Sequence, residues 1–250
     1  MIVKEMEKDF YRFIFGPRKN TKFGYNFYVL VDGNQALIID TGFREHASEV
    51  KEYLAQMNIS ITKVIFTHFH LDHINGLNAL DKVEIFGSDS YQEALDIYVD
   101  KEKQDFYKPT KPVHEDFEFE FGGFKVKMMK SPGHAQCSML TMINDKYLHV
   151  GDELMFSNEG LSVIPLVGKT KIKRQLNSLE NLKQYVNYII LTSHGETDQN
   201  EGELLKQIDH RIKYLRAIDE SKEKISFEQA VSDTGSDFLH PEWHETIYEL

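Results

Sequence analysis

The feature that most constrains this 250-residue chain is a group of polar residues directly behind an apolar strand. In "KVIFTHFHLDHINGL", Lys63 to Leu77, a β-branched run typical of a buried strand leads into three histidines and an aspartate. These residues are His68, His70, Asp72 and His73. Burying so many polar side chains at the edge of a core costs free energy unless a partner satisfies them. Either solvent must therefore hydrogen-bond to these side chains or a metal ion must bind them.

The same arrangement recurs behind three later strands. His134 follows "KVKMMK" through a Ser-Pro-Gly turn, Asp152 follows "KYLHV", and His194 follows "YIILTS". Rigid strands that carry chemistry on their terminal loops are a common way in which folds build sites. Five imidazoles and two carboxylates suit zinc, iron or manganese better than calcium or magnesium. Seven ligands are too many for one tetrahedral ion and predict two ions that share a bridging carboxylate and a bridging water.

Between these segments the chain alternates between predicted strands and helices. Hairpins are predicted about Asp32-Gly33 and Gly122-Gly123, and surface helices at "REHASEVKEYLAQM" and "KRQLNSLENLKQY". One continuous helix is predicted in "SYQEALDIYVDKEKQDFY" and a long one in "EGELLKQIDHRIKYLRAIDESK". No linker or internal repeat divides the chain, so we predict a single domain over residues 1–250. Its C-terminal helix and tail, about residues 201–250, are expected to pack on the rest.

Charge and cysteine content narrow the classes of function. The formal net charge of −11 disfavours a nonspecific hold on nucleic acid. A single cysteine, Cys137, excludes an internal disulfide framework and is typical of a reducing compartment. The N-terminal segment has no apolar run of signal-peptide length, and no stretch reaches the roughly 18 to 20 apolar residues of a membrane span. We expect a cytoplasmic protein with a small-molecule substrate and no nucleic-acid or membrane partner, and the sequence leaves a homodimer open.

The motifs "THFHLDH", "SPGH", "VGDEL" and "TSHG", in this order, resemble the metallo-β-lactamase superfamily. The resemblance runs from about Phe27 to Gly195, and the "SLENL" and "HRIKYLR" segments also resemble hydrolases of this superfamily. It implies a fold of class α/β (α+β), a four-layer αββα sandwich. In that fold two mixed β-sheets pack face to face and the helices lie outside.

The resemblance also implies a role for each motif residue. The first metal ion would be held by His68, His70 and His134, and the second by Asp72, His73 and His194. Asp152 would bridge the two ions. Asp40, at the end of "ALIID", matches a family position that supports the site by bonding to a metal ligand. The implied cofactors are two divalent transition-metal ions, zinc first, with iron and manganese as alternatives.

Such a site predicts hydrolysis. Two cations about 3.5–4 Å apart lower the pKa of a shared water, so that a bridging hydroxide forms near neutral pH, and they polarise the bond that is attacked. Asp72 is the predicted catalytic residue, because beside the second metal it would orient the hydroxide or carry its proton. No serine or cysteine nucleophile is required.

The branch of the superfamily is narrowed by Asp152, since true β-lactamases of this fold generally lack the bridging aspartate. The ligand set is similar to that of glyoxalase II and lactonase enzymes, although neither a glutathione-binding loop nor the lactonase tyrosine is evident after Asp152. The predicted function is hydrolysis of a small-molecule ester, thioester or lactone. Three alternatives stay open: an iron-dependent redox enzyme on the same scaffold, a metal-binding scaffold without turnover, and a phosphodiesterase that uses Lys169, Lys171, Lys173 and Arg174.

The remaining candidates are expected to have no role as ligands. They are Cys137, expected to be a small buried residue, His149, expected to pack in its strand, and the scattered His46, His114, His210, His240 and His244. Substrate choice is expected to depend on the segments without motifs, namely residues 18–27, 104–116 and 155–170 and the C-terminal "FLHPEWHETIYEL". In the last of these, Trp243 is expected to be a packing anchor or subunit contact rather than a platform for the substrate.

Overall fold

The computed structural model describes residues 1–249 and contains two mixed β-sheets. The larger sheet has seven strands in chain order: β1 (Ile2–Glu7), β2 (Phe10–Phe15), β3 (Tyr25–Asp32), β4 (Gln35–Ile39), β5 (Ser60–Ile65), β6 (Glu84–Ser88) and β7 (Lys111–Val113). Strands β1 to β4 are antiparallel neighbours, and the pairings from β4 to β7 are parallel.

The smaller sheet has five strands: β8 (Phe117–Phe121), β9 (Phe124–Lys130), β10 (Met139–Ile143), β11 (Tyr147–His149) and β12 (Ile189–Leu191). They are antiparallel neighbours except for β11 and β12, which pair in parallel. The α-helices are α1 (Arg44–Gln56), α2 (Leu71–Ile74), α3 (Gln92–Tyr98), α4 (Gln104–Tyr107), α5 (Ile172–Leu182), α6 (Glu201–Glu220) and α7 (Phe227–Val231). Short 3-10 helices lie at Asn75–Ala79, Lys101–Lys103, Lys169–Lys171, Lys183–Tyr185 and Pro241–Tyr248.

Three hydrophobic clusters hold the layers together. Between the sheets, Leu30 and Ile65 of the larger sheet share a cluster with Val126 and Met128 of the smaller one. On the outer face of the larger sheet the cluster includes residues of α1 and α3, and on the outer face of the smaller sheet it includes residues of α5 and α6. Full burial of one such side chain contributes about 1.5–3 kcal/mol relative to exposure. The predicted four-layer αββα sandwich is confirmed.

The two predicted hairpins are present. Gly33 and Gly122 have φ of 58° and 57°, a left-handed conformation that glycine adopts without steric cost and that tight hairpin turns require. The N-terminal hairpin of β1 and β2 was not predicted. Its first strand is an edge strand rich in Lys and Glu, which hides the alternation expected of a half-buried strand.

The prediction of one unbroken helix through residues 90–107 is wrong, because the structure divides this segment into α3 and α4, joined by a 3-10 turn. Helix α3 ends at Tyr98, and Val99 is extended, with φ −128° and ψ 129°. Val99 is buried in the cluster outside the larger sheet, and the Gln104 side-chain amide donates to the carbonyl oxygens of Leu95 and Val99. Burial of Val99 and these two bonds to free carbonyls stabilise the break.

The C-terminal part of the chain packs on the smaller sheet. Leu204 and Ile208 of α6, together with Phe238 and Ile247, belong to the same cluster as residues of β11 and β12. Among residues 1–249, no helix combines the length and the hydrophobicity that a bilayer-spanning segment requires.

Candidate metal centre

The predicted ligands leave strands of both sheets at one edge of the sandwich. Two backbone bonds join the sheets there: Met139 N donates to Thr67 O at 2.8 Å, and Asn26 N donates to Ser193 O at 2.8 Å. The loops after β5, β9, β11 and β12 therefore start from a fixed frame. This frame brings together all seven residues predicted as metal ligands: His68, His70, Asp72, His73, His134, Asp152 and His194.

The first group of ligand atoms belongs to His68, His70 and His134. Their ligand atoms lie within 4.8 Å of one another, and His134 Nε2 is 3.1 Å from His70 Nδ1. His68 is fully buried, whereas His70 and His134 are partly exposed. Solvent can therefore reach this group from the side of His70 and His134.

The second group belongs to Asp72, His73 and His194 and is equally compact. His194 Nε2 lies 3.5 Å from Asp72 Oδ2, and His73 Nε2 lies 3.9 Å from Asp72 Oδ1. Both histidines are buried, while the Asp72 side chain is 28% exposed. Asp72 is thus the member of this group that solvent or a substrate can reach.

Asp152 lies between the two groups. Its Oδ1 is 3.4 Å from His194 Nε2, and its Oδ2 is 3.3 Å from His73 Nε2 and 3.8 Å from His134 Nε2. One carboxylate thus faces members of both groups, which is the placement expected of a bridging ligand.

The donor atoms fit a metal centre because several of them are buried without a protein partner. Among the described residues, His68 Nε2, His73 Nε2, His194 Nε2 and Asp152 Oδ1 accept or donate no hydrogen bond. Orphaned buried polar atoms are rare in folded proteins and each costs about 1–3 kcal/mol. Binding of metal among these four atoms would supply the partner that the protein does not. Within residues 1–249, the groups of ligand atoms close enough to hold an ion contain the seven predicted residues and no others.

Hydrogen bonds on the far side of three imidazoles set their tautomers. Thr67 Oγ1 donates to Asp40 Oδ2 at 2.8 Å and can therefore accept from His68 Nδ1 at 3.1 Å. His73 Nδ1 donates to Asp40 Oδ2 at 2.8 Å, and His194 Nδ1 donates to Gly24 O at 2.9 Å. Each of these rings thus engages Nδ1 in a hydrogen bond and turns Nε2 towards the centre, as a metal ligand requires. Asp40 has the geometry of the supporting carboxylate that the sequence predicts.

Burial and neighbouring charges shift the titration of the ligands in two directions. Burial lowers the pKa of His68, and it lowers the pKa of His70 to about 3. Burial alone would also lower the pKa of His194, but the charges on Asp152 and Asp72 raise it to about 9. The same carboxylates that favour a proton on His194 favour a metal cation at that place.

Glu153 is a supporting residue that the sequence did not reveal. Its buried carboxylate accepts from His134 N at 2.9 Å and from Gln175 Nε2 of α5 at 2.8 Å, and burial raises its pKa to about 7. Arg174 of α5 donates to Gly133 O at 3.0 Å and holds the same loop. The sequence offers one hint of this role, namely that Glu153 directly follows the predicted ligand Asp152. That adjacency does not reveal that α5 packs against the loop of His134.

A cavity of about 440 Å³ opens above the centre, a size typical of small-molecule sites. His70, Asp72, His134 and Asp152 contribute to its lining. Three of the four segments expected to govern substrate choice also contribute, through Phe23, Met155, Leu166–Gly168 and Trp243. Residues 104–116 contribute none of the lining. Instead, helix α3, which precedes this segment in the chain, lines the cavity through Ala94, Ile97 and Tyr98.

The residues expected to have no ligand role lie outside the groups of ligand atoms found among residues 1–249. His149 is buried, packs edge-on to Tyr28 and accepts from Gly151 N at 3.2 Å. Cys137 is buried, as expected. Trp243 packs against both outer clusters, as expected of an anchor, but it also lines the cavity.

Residues 20–194 match the sequence profile described as "Metallo-beta-lactamase superfamily". A beta-lactamase-like protein 2 homolog from Caenorhabditis elegans is 27% identical over 210 residues, which cover 81% of this chain and 66% of that protein. An atrochrysone carboxyl ACP thioesterase from Passalora fulva is 26% identical over 190 residues, which cover 74% of this chain and 52% of that protein. This chain thus spans about half to two thirds of these relatives.

A solved metallo-beta-lactamase from Pontibacter korlensis has a similar fold. It superposes with a TM-score of 0.66, covering 83% of this chain and 98% of that chain, at 17% sequence identity. At that identity the likeness concerns the fold alone.

Proposed function

Because this chain belongs to the metallo-β-lactamase superfamily, we propose that it is a metal-dependent hydrolase that cleaves a small-molecule ester, thioester or lactone. The superfamily and its named relatives indicate hydrolysis in general. The ester, thioester or lactone substrate and the use of two metal ions are proposed here in addition.

The observation that carries the proposal is the position of Asp152. Its Oδ1 faces His194 of the second group, and its Oδ2 faces both His73 of the second group and His134 of the first. Asp152 also lines the cavity. When bound, divalent ions activate water for attack and polarise a carbonyl group. The seven side chains would hold two such ions, zinc first, with iron and manganese as alternatives.

Asp72 is the group proposed to handle the proton. It lines the cavity, its side chain is 28% exposed, and Oδ2 is 3.5 Å from His194 Nε2. From this place its carboxylate would orient the attacking water and accept its proton, then return the proton to the leaving group. An alkoxide leaves more readily when it is protonated as the bond breaks, whereas a thiolate is a weaker base and needs this proton less.

Thioesters are the first choice among the three substrate types. The relative from Passalora fulva is named a thioesterase, although it shares only 26% identity with this chain. Among the described residues that line the cavity, the buried Cys137 is the one serine or cysteine that could form a covalent acyl intermediate. Burial raises the pKa of Cys137 to about 11, so its thiol stays protonated and is a poor nucleophile.

A panel of chromogenic esters, thioesters, lactones and phosphodiesters, assayed on protein with defined metal content, tests this proposal. We expect turnover of at least one carbonyl substrate that exceeds phosphodiester turnover and is abolished by chelation. Phosphodiester turnover above that of every carbonyl substrate would contradict it.

A phosphodiesterase is the second candidate, and one observation favours it: Lys171 and Arg174 line the same cavity. Lys171 is paired with Glu93 at 2.8 Å, whereas Arg174 forms no salt bridge among the described residues. If a phosphate binds here, Lys171→Met should raise KM for phosphodiesters by roughly tenfold, about the loss of one charged hydrogen bond. The matched control is Lys173→Met, because Lys173 is exposed in the first turn of α5, two residues from Lys171, and lies outside the cavity.

A further inference from the structure

We propose that Trp243, which residues 239–248 (here called the C-terminal wall) hold in the cavity lining, receives a bulky apolar group of the substrate and is the specificity-determining residue. The inference rests on the proposed function and deepens it: the substrate is an ester or thioester with a medium-length aliphatic or an aromatic substituent. The C-terminal wall lies outside residues 20–194, which match the superfamily profile.

The C-terminal wall is built into the fold at both ends. Leu239 N donates to Ser162 O at 2.8 Å, and Ile164 N donates to Leu239 O at 3.1 Å. At the other end, His244 Nδ1 accepts from the Tyr214 hydroxyl at 2.8 Å, and His244 Nε2 donates to Ile225 O at 2.8 Å. The wall is therefore fixed to the loop after β11 and to α6.

His240 ties the C-terminal wall to the opposite end of the chain. Its Nε2 accepts from Lys22 N at 3.0 Å, and its Nδ1 donates to Glu242 Oε1 at 2.7 Å. His240 has φ 63°, a left-handed conformation that costs a non-glycine residue about 1–2 kcal/mol. These contacts hold it in that conformation and keep its ring against Trp243.

The indole of Trp243 has a fixed orientation beside the centre. The His240 ring stacks on it with a centroid distance of 4.2 Å and an interplanar angle of 11°, and Phe23 meets it edge-on at 6.0 Å. Phe23 in turn lies 4.7 Å from the ring of His194, a predicted metal ligand. One ring, that of Phe23, thus separates Trp243 from a predicted metal ligand, and Trp243 lines the same cavity as His70 and Asp72.

The surfaces near Trp243 are apolar and partly open. Met155, Leu166 and Val167 line the cavity from the loop after β11, and Ile97 lines it from α3 with 60% of its surface exposed. An acetyl group would leave most of this apolar surface in contact with water. Each additional buried methylene should strengthen binding roughly fourfold. The cavity of about 440 Å³ therefore favours larger apolar substituents.

Trp243 is the only tryptophan of the chain, so its fluorescence reports on the cavity without turnover. We expect a saturable change in emission on titration with octanamide, a hydrolysis-resistant neutral probe, at concentrations where acetamide gives none. Ile97→Asn, a polar change at an exposed position, should weaken the octanamide response. Equal responses to the two amides, or no response, would overturn the inference.

Kinetics provide the second test. Trp243→Ala should lower the ratio of kcat/KM for octanoyl over acetyl p-nitrophenyl esters by roughly tenfold or more, the loss of contact with about two methylenes. Phe106→Ala removes an exposed aromatic ring outside the cavity and should leave the ratio unchanged. If Trp243→Ala does not fold, Ile97→Asn should lower the same ratio.

The two proposals fail in different ways. If no ester or thioester is cleaved, the proposed function fails, while the amide titration still decides whether the C-terminal wall binds apolar groups. If esters are cleaved and neither Trp243→Ala nor Ile97→Asn changes the octanoyl preference, the inference fails and the proposed function stands.

Discussion

At the scale of single residues, Asp152 is the side chain that faces both groups of predicted ligands. It is 5% exposed, and its two oxygens approach imidazole nitrogens of both groups at 3.3–3.8 Å. A carboxylate between two dications screens their mutual repulsion and fixes their spacing. Its loss should therefore affect more than one metal–ligand bond.

Asp152→Asn keeps the shape and one acceptor oxygen but removes the charge. We expect weaker binding of at least one metal ion and a loss of roughly two or more orders of magnitude in hydrolysis of the best substrate, measured by metal titration and by kcat/KM. His149→Gln is the control, because it keeps an acceptor for Gly151 N and lies outside the ligand groups. Both ions and near-normal turnover in Asp152→Asn would show that the bridging role is wrong.

Glu153 acts through the backbone of His134. In Glu153→Ala the amide of His134 and the side chain of Gln175 lose their shared acceptor. We expect about 10- to 100-fold weaker metal binding, the usual effect of removing a group that supports a ligand. Glu153→Gln retains one acceptor oxygen and should recover part of the affinity. Unchanged metal affinity in Glu153→Ala would exclude this positioning role.

The seven ligand-type residues and Asp40 could be predicted because each stands next to an apolar strand in a recognisable motif. Glu153 could not, because its role depends on Gln175 of α5, which is distant in the sequence. The cavity-lining role of Trp243 was missed for the same reason: it depends on how the chain end packs against the loop after β11. Long-range packing of this kind leaves no local pattern in the sequence.

At the scale of secondary-structure elements, the loop that carries His134 is shaped by its contact with α5. A Cβ atom at Gly133 would lie 2.3 Å from Glu153 Oε1 and 2.5 Å from Ser178 Cβ. Both neighbours are buried. Only a glycine allows α5 to approach this loop so closely.

Gly133→Ala should therefore displace the loop or α5. We expect a loss of about 1–3 kcal/mol in the free energy of unfolding, together with weaker metal binding, both measurable by denaturant unfolding with and without metal. Gly123→Ala is the matched control, since a Cβ atom there meets nothing within 4 Å, and its effect should stay within about 0.5 kcal/mol. Equal stability of the two variants would contradict the close packing.

The elements differ in how well local sequence predicts them. The hairpins at Gly33 and Gly122 and the long helix α6 follow from turn residues and periodicity. The break at Val99 does not, because burial of Val99 and the bonds from Gln104 decide it. The charged edge strand β1 is likewise stabilised by its pairing with β2 and has no alternating hydrophobic pattern of its own.

At the scale of the whole molecule, charge bears on the choice of partner. The net charge of −11 opposes binding to phosphate backbones. We predict that nucleic acid is not the main substrate. Gel-shift and cleavage assays with single-stranded RNA at several salt concentrations test this prediction. Tight, salt-sensitive binding, or cleavage faster than that of small esters, would show it to be wrong.

The central claim, a centre for two metal ions at one edge of the sandwich, is tested most directly by elemental analysis of the purified protein. The sample is reconstituted separately with zinc, iron and manganese and then freed of unbound metal. We expect close to two ions per chain with at least one of these metals, because seven ligand-type side chains exceed what one ion can use. A content of one ion or fewer per chain with all three metals would contradict the account.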